Sequence, residues 1–121
     1  MKIGFVFSGQ GSQFIGMGKD LYESYEVVRD VYKKAEKILG INIAKLTFES
    51  TEEELSQTKN TQIAILVMSL GILEILKEKN IKAEVTAGLS LGEYTSLIYS
   101  DAISIEDGIK IVRKRGELMR K

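Results

Sequence analysis

The hydrophobic positions of the chain alternate between short runs of strand length and longer stretches with helical spacing. The run at 3–7 is apolar, rich in β-forming residues and followed by glycines, which predicts a buried strand of a parallel sheet. A second strand is predicted over 83–87. Helical patterns separate and follow these strands, so the order of elements predicts an α/β fold with a mostly parallel sheet flanked by helices.

The helical patterns predict different degrees of burial for the different helices. An amphipathic helix is predicted over 21–39, where apolar residues recur at spacings of three and four up to Gly40. The stretch 63–76 is apolar nearly all round, which predicts a helix covered by other elements. Further helices are predicted over 91–99 and from 105 onward, the last with an apolar face made of Ile105, Ile109, Val112, Gly116 and Met119.

Capping-box spacing occurs twice near position 50. Ser50 precedes Glu53 by three residues, and Thr51 precedes Glu54 by three. A short helix is therefore predicted to begin there, with its acidic first turn in solvent.

The composition narrows the possible functions. The 121 residues, 44% of them hydrophobic, suffice for one small structural unit with its own core. Lys plus Arg and Asp plus Glu each total 17, so no net charge draws the chain to nucleic acid or to an anionic membrane. The uncharged apolar stretch at 61–73 is shorter than the ~20 residues that span a bilayer.

The missing residue types restrict the chemistry. Without cysteine the chain has no disulfide, no thiolate metal site and no cysteine nucleophile, which is compatible with a reducing, cytoplasmic location. Without histidine it lacks the commonest nitrogen ligand of zinc, so we predict no metal site. It also lacks the imidazole that usually takes the proton from a serine nucleophile.

A pentapeptide of the Gly-x-Ser-x-Gly type follows the second predicted strand and opens the next helix: Gly88, Leu89, Ser90, Leu91 and Gly92. Such a sharp turn from strand to helix lifts a serine hydroxyl clear of the backbone, and the glycines leave room for it. The N–H of Leu91, at the positive end of the helix dipole, could bind the oxyanion formed when Ser90 attacks an acyl carbonyl. The alternative is a plain loop of small residues.

The glycine-rich loop after the first strand, Gly9-Gln10-Gly11, does not fit a nucleotide site. The dinucleotide fingerprint would need glycine at Phe14, and a P-loop would need glycine at Gln13 and Ser or Thr at Asp20. A plain turn is one interpretation of the loop. In the other, its glycines bring the backbone close to a reacting group, to which Gln10 offers polar contacts or its N–H.

Three motifs carry a resemblance to a known family. They are Phe7-Ser8-Gly9-Gln10-Gly11-Ser12-Gln13, Gly88-Leu89-Ser90-Leu91-Gly92-Glu93-Tyr94 and Arg113-Lys114-Arg115-Gly116-Glu117-Leu118-Met119. Together and in this order they closely resemble the malonyl-CoA:acyl carrier protein transacylases of bacterial fatty acid synthesis, over the whole chain.

The resemblance implies a role for each site residue. Ser90 would be the nucleophile that takes malonyl from coenzyme A and passes it to the phosphopantetheine thiol of acyl carrier protein. The backbone N–H groups of Gln10 and Leu91 would form the oxyanion hole, and Arg115 would bind the free carboxylate of malonate. The supporting loop and turn would consist of Gly9, Gly11, Gly88, Leu89 and Gly92.

The resemblance also implies what this chain lacks. Residues 1–121 would be the N-terminal part of a hydrolase-like acyltransferase domain. The family's ferredoxin-like subdomain and its C-terminal part, with the catalytic histidine, would lie beyond position 121. The partners would be malonyl-CoA, acyl carrier protein and that C-terminal part, with no nucleic acid, membrane or permanently bound cofactor; the coenzyme A thioester is the substrate. We expect poor turnover from the chain alone.

Two positions depart from the family pattern. Many members have proline where Ser8 stands and histidine where Leu89 stands. Neither change removes a reacting group, but Leu89 alters the polarity beside the nucleophile.

Two other functions remain open at the level of sequence. A serine esterase or patatin-like lipase also uses Gly-x-Ser-x-Gly and releases the acyl group to water, but has no need of Arg115. A non-catalytic assembly module would explain the missing base.

Overall fold

The computed structural model describes residues 3–7, 9, 11–83, 85–88 and 91–119. These residues contain seven helices and two strands. In chain order the elements are β1 (Gly4–Phe7), α1 (Lys19–Ser24), α2 (Glu26–Leu39), α3 (Ile43–Glu49), α4 (Glu52–Leu55), α5 (Thr58–Glu78), β2 (Val85–Gly88), α6 (Leu91–Tyr99) and α7 (Ile105–Met119). The predicted α/β class is therefore confirmed, although helix greatly predominates.

The two strands pair in parallel. Gly4 lies opposite Val85 and Phe7 opposite Gly88, so both strands end at the same edge of the sheet. The predicted parallel pairing is confirmed, and β2 begins two residues later than predicted.

The prediction that the first strand is buried is wrong for most of its length. Phe5 and Phe7 face the same side, and the ring of Phe5 lies 5.3 Å from that of Tyr99 in α6. Because side chains alternate along a strand, Val6 points to the opposite face, where it is 85% exposed and uncovered by the described residues.

The single helix predicted over 21–39 is two helices. Tyr25 has extended backbone angles, φ −126° and ψ 120°, which separate α1 from α2. The guanidinium of Arg29 donates to the carbonyl oxygens of Tyr22 and Glu23, at 2.8 and 3.0 Å. It thus supplies hydrogen-bond donors to carbonyl groups at the end of α1. Tyr25 is half-buried against the core, so the hydrophobic spacing continues across the break.

Only one of the two predicted caps near position 50 exists. Thr51 is the N-cap of α4, where its hydroxyl oxygen accepts from the Glu54 N–H at 3.1 Å. The prediction for Ser50 is wrong, because its hydroxyl donates to the carbonyl of Leu46 and so serves the end of α3 instead. The helix α3 itself had not been predicted.

The long helix α5 is the centre of the core. Its residues 63–67 are fully buried, and it packs against α2 and α7, which confirms the predicted buried helix. Its length and composition would also allow it to cross a membrane, but 67% of its most apolar 18-residue window is buried inside the fold. Protein packing therefore accounts for its apolar character.

The apolar face predicted for α7 is confirmed at its centre. Ile109, Val112 and Gly116 are buried, and Ile105 is half-buried. Met119 is 47% exposed, so the face ends one turn earlier than predicted.

Candidate active site

The turn from β2 to α6, residues 88–92, is called the elbow below. The strand ends at Gly88 and the helix begins at Leu91, so only two residues separate them. Those two, Leu89 and Ser90, lie outside the described residues. Their flanks confirm the strand-turn-helix context that a serine nucleophile of this type requires.

The two glycines of the elbow are required by close backbone approach. A Cβ atom on Gly88 would overlap the backbone of Gly92, and a Cβ atom on Gly92 would overlap the carbonyl oxygen of Phe7. The first turn of α6 thus lies directly against the ends of both strands. Any side chain at either position would force the elbow open.

The amino end of α6 supplies the electrostatics of the elbow. Leu91 is the first residue of the helix, and its side chain, 1% exposed, anchors this end in the core. Backbone N–H groups in a first helical turn have no acceptor within the helix and carry its partial positive charge. An anion that forms beside Leu91 would therefore be stabilised.

The glycine-rich loop lies beside the elbow, because Phe7 and Gly88 are paired at the ends of their strands. Within it, Gln10 lies outside the described residues. Gly11 has φ +108°, which favours glycine, and its N–H donates to the Gln13 side-chain oxygen at 2.8 Å. The Ser12 N–H donates to the Gly9 carbonyl at 3.4 Å, which brings these two described residues of the loop together.

Arg115 contacts two helices, α5 and the helix α6 that follows the elbow. Its Nη1 donates to Oε1 of Gln62 in α5 at 2.6 Å, and its guanidinium carbon lies 5.5 Å from the ring centroid of Tyr94 in α6. Tyr94 is three residues after Leu91, which is about 4.5 Å along the helix axis. The half-buried Arg115 is therefore held against a residue in the first turn of the helix that follows the elbow.

The position of α7 depends on further contacts with α5, made by Arg113 and Gly116. Arg113 donates to the carbonyl oxygen of Lys59 at 3.0 Å and contacts Oδ1 of Asn60 at 3.4 Å. A Cβ atom on Gly116 would lie 2.8 Å from the Cα of Lys59. The missing side chain lets the two backbones touch, and this brings the neighbouring Arg115 to Gln62.

Two residues of this arrangement were not singled out from the sequence. Gln62 is fully buried, and it comes directly before the apolar run of α5 in the sequence. A polar side chain at the edge of such a run was the available signal. Tyr94 belongs to the second motif, but no feature of the sequence assigned it a contact.

In the described part of the chain, no three Asp or Glu side chains come together as a metal site. The shifted pKa values belong to other places. Burial raises the pKa of Tyr32 in α2 far above its usual range, and a hydrogen bond from Lys110 lowers the pKa of the Glu106 carboxyl at the start of α7.

The chain belongs to the family of acyl transferase domains, whose pattern matches residues 4–121. A malonyl CoA-acyl carrier protein transacylase of Bacillus subtilis is 48% identical over 118 residues, and one of Staphylococcus aureus is 42% identical over the same length. Each match covers 98% of this chain. The resemblance seen in the three motifs is thereby confirmed.

Solved structures agree with the sequence relatives. The malonyl CoA-acyl carrier protein transacylase of Clostridium perfringens is 44% identical and superimposes with a TM-score of 0.94 over 98% of this chain. An acyl carrier protein S-malonyltransferase of Vibrio cholerae is 39% identical, also with a TM-score of 0.94 over 98% of this chain. A malonyl-transacylase solved in complex with a type II polyketide acyl carrier protein is 38% identical, with the same score and coverage.

The chain spans little more than a third of the length of these relatives. It covers 37% of the Bacillus protein and 38% of the Clostridium structure.

Proposed function

We propose that this chain forms the N-terminal part of a malonyl-CoA:acyl carrier protein transacylase. The reaction moves a malonyl group from coenzyme A to the phosphopantetheine thiol of acyl carrier protein through a malonyl-serine intermediate. One observation carries the proposal: Arg115, a permanent cation, is held by Gln62 and by Tyr94, which lies in the first turn of the helix that follows the elbow. A malonyl thioester offers a carbonyl for Ser90 and a carboxylate for Arg115.

In the first half-reaction the Ser90 hydroxyl attacks the thioester carbonyl. The C–S bond breaks, coenzyme A leaves as its thiol, and the serine proton passes through a general base to the departing sulfur. In the second half-reaction the carrier protein thiol attacks the serine ester and restores the hydroxyl. The backbone N–H groups of Gln10 and Leu91 stabilise the oxyanion in both steps.

The remaining site residues shape this centre. Gly88 and Gly92 permit the close packing of the elbow, and Leu89 lies next to the nucleophile. Gly9 and Gly11 flank Gln10 in the loop that follows the first of the paired strands. No permanently bound cofactor enters the reaction, since both acyl carriers are substrates.

The base belongs to the part of the enzyme that this chain does not contain. The chain has no histidine, and its relatives are more than twice as long. We assign residues 1–121 to the N-terminal part of a hydrolase-like acyltransferase core. The ferredoxin-like subdomain and the C-terminal part with the catalytic histidine complete it in a cytoplasmic enzyme.

The position of Arg115 favours this function over a serine esterase. An esterase of neutral acyl chains gains nothing from a guanidinium beside its nucleophile, because no substrate charge repays the desolvation of the cation. In the complete enzyme, Arg115→Ala should remove the preference for malonyl over acetyl. An esterase would keep its rate with that change.

Intact-protein mass spectrometry after mixing with malonyl-CoA tests the proposal, with circular dichroism to verify folding. We compare this chain with a full-length chimera that joins it to the C-terminal portion of the Bacillus subtilis relative, each with a Ser90→Ala control. A malonyl adduct on the chimera that is absent from its Ser90→Ala form is expected, with slow or no labelling of the chain alone. A folded chimera that takes no malonyl group would refute the proposal.

A further inference from the structure

We propose that Gln62 and Tyr94 are positioning residues that make the site selective for acyl groups with a free carboxylate. Together they form what we call the arginine clamp, because they hold the guanidinium of Arg115 between α5 and α6. The inference rests on the proposed function and deepens it. It assigns the selectivity of acylation to two side chains that need not touch the substrate.

Gln62 holds Arg115 without neutralising it. An arginine side chain only donates hydrogen bonds, so the amide oxygen of Gln62 must face it, and the amide nitrogen then contacts Sδ of Met119 at 3.5 Å. The side chain of Gln62 is fully buried in the central helix, which fixes its direction. A glutamate here would pair with the guanidinium and cancel the charge that the substrate carboxylate needs.

Tyr94 restrains the same guanidinium through its face. A cation over an aromatic ring is attracted by the negative π-surface, and this contact does not use the N–H donors in the guanidinium plane. Those in-plane donors are the ones that bind a carboxylate with two parallel hydrogen bonds. Tyr94 therefore orients the cation and leaves its recognition chemistry intact.

Contacts from two separate helices amount to preorganisation of Arg115. A long arginine side chain loses rotamer freedom whenever it binds an anion, and here that freedom has been reduced before the substrate arrives. An acetyl group makes no use of the guanidinium. The clamp should therefore assist malonyl transfer selectively, and its loss should lower the malonyl-to-acetyl ratio without slowing acetyl transfer.

The test measures kcat and KM for malonyl-CoA and acetyl-CoA in the full-length chimera. In Gln62→Met we expect the KM for malonyl-CoA to rise about tenfold, since a hydrogen bond to a charged group is lost. In Gln62→Glu we expect about a hundredfold loss of malonyl kcat/KM, because the new carboxylate competes with the substrate. Acetyl transfer should stay within about twofold of the parent in both.

Tyr94 is tested by a pair of variants that separates the ring from the hydroxyl. Tyr94→Leu should lower the malonyl-to-acetyl ratio about three- to tenfold, whereas Tyr94→Phe should retain it because the π-face remains. Tyr99→Leu removes a ring from the same helix at its other end, where the ring packs on Phe5. It should leave the ratio unchanged and so controls for loss of aromatic packing.

The Gln62 variants are compared with a control variant at another buried polar residue. Thr47 is fully buried, and its hydroxyl donates within its own helix to the carbonyl of Ile43 at 2.8 Å. Thr47→Val should change stability but not the malonyl-to-acetyl ratio. If Gln62→Met does not fold, the Tyr94 pair decides the question alone.

The outcomes separate the clamp from the function on which it rests. If the parent chimera shows no malonyl preference, the proposed function fails and the clamp with it. If the parent prefers malonyl and Arg115→Ala abolishes that preference, the function stands. In that case, equal losses for malonyl and acetyl in the Gln62 and Tyr94 variants, or an unchanged ratio, would overturn the clamp.

Discussion

Gly116, where α7 crosses the start of α5, gives a sharp test of how closely the two helices must approach. In Gly116→Ala the new Cβ would lie 2.8 Å from the Cα of Lys59 and 3.4 Å from two backbone oxygens. Carbon atoms pack best at about 3.5–4.0 Å. The helices must therefore separate by roughly 1 Å, because a backbone atom cannot rotate away.

Two opposing effects set the magnitude. Overpacking of a close contact costs about 1–3 kcal/mol, while alanine in place of glycine inside a helix gains about 1 kcal/mol. Gly71→Ala is the matched control: it too is buried in a helix, but its Cβ would meet a side-chain methyl of Val28 at 3.2 Å. We expect Gly116→Ala to be less stable than Gly71→Ala by about 1–3 kcal/mol, since the gain in helix propensity cancels between them.

Urea unfolding of the 121-residue chain, followed by circular dichroism at 222 nm, measures the difference. The midpoint should fall in Gly116→Ala while the slope with denaturant stays the same. In the chimera the same change should also lower the malonyl-to-acetyl ratio, because separation of the helices draws Arg115 from Gln62. Equal stability of the two alanine variants would refute the close approach of α7 to α5.

Three further predictions follow from single contacts. Gly92→Ala should lower the free energy of unfolding by about 1–3 kcal/mol and abolish malonyl labelling of the chimera, since the Cβ would overlap the Phe7 carbonyl; labelling at the parent rate would contradict this. Thr51→Ala should reduce stability in urea by about 1 kcal/mol through loss of the α4 cap, whereas an effect below about 0.3 kcal/mol would count against the cap. Tyr32→Phe should preserve or raise stability at neutral pH, because the hydroxyl is buried without a hydrogen-bond partner among the described residues. Because burial raises the folded-state pKa of Tyr32, the parent should lose stability as pH rises above the unfolded value of about 10; Tyr32→Phe should lose less there, and identical alkaline profiles would argue against burial as the cause.

The sequence predicted the elements whose hydrophobic patterns are long or strongly bounded. The apolar run at 63–76 could only be a buried helix, and the glycines of the elbow marked a strand-to-helix turn. The break at Tyr25 escaped prediction because it depends on Arg29, whose guanidinium donates to carbonyl oxygens six and seven residues earlier, at the end of α1. Hydrophobic periodicity does not reveal such a contact, because the spacing of the apolar residues continues across the break at Tyr25.

The residues of the candidate site were likewise predicted only in part. Ser90 and Arg115 were predicted from motifs. The structure holds Arg115 against Tyr94 in the first turn of α6, whereas Ser90 lies outside the described residues. Gln62 could not be predicted as the partner of Arg115, because the two lie 53 positions apart and meet only through the crossing of α5 and α7. The exposure of Val6 also escaped prediction, because an apolar run does not reveal which faces of a strand will be covered.

The parallel pairing of β1 with β2 has a consequence for the order in which the chain folds. The strands are about 80 positions apart, and five of the seven described helices lie between them in the chain. Closing so long a loop is entropically slow. The elbow packs on that pairing through Gly92, so it should be among the last parts to form during synthesis and among the first to be disturbed by a defect in the core.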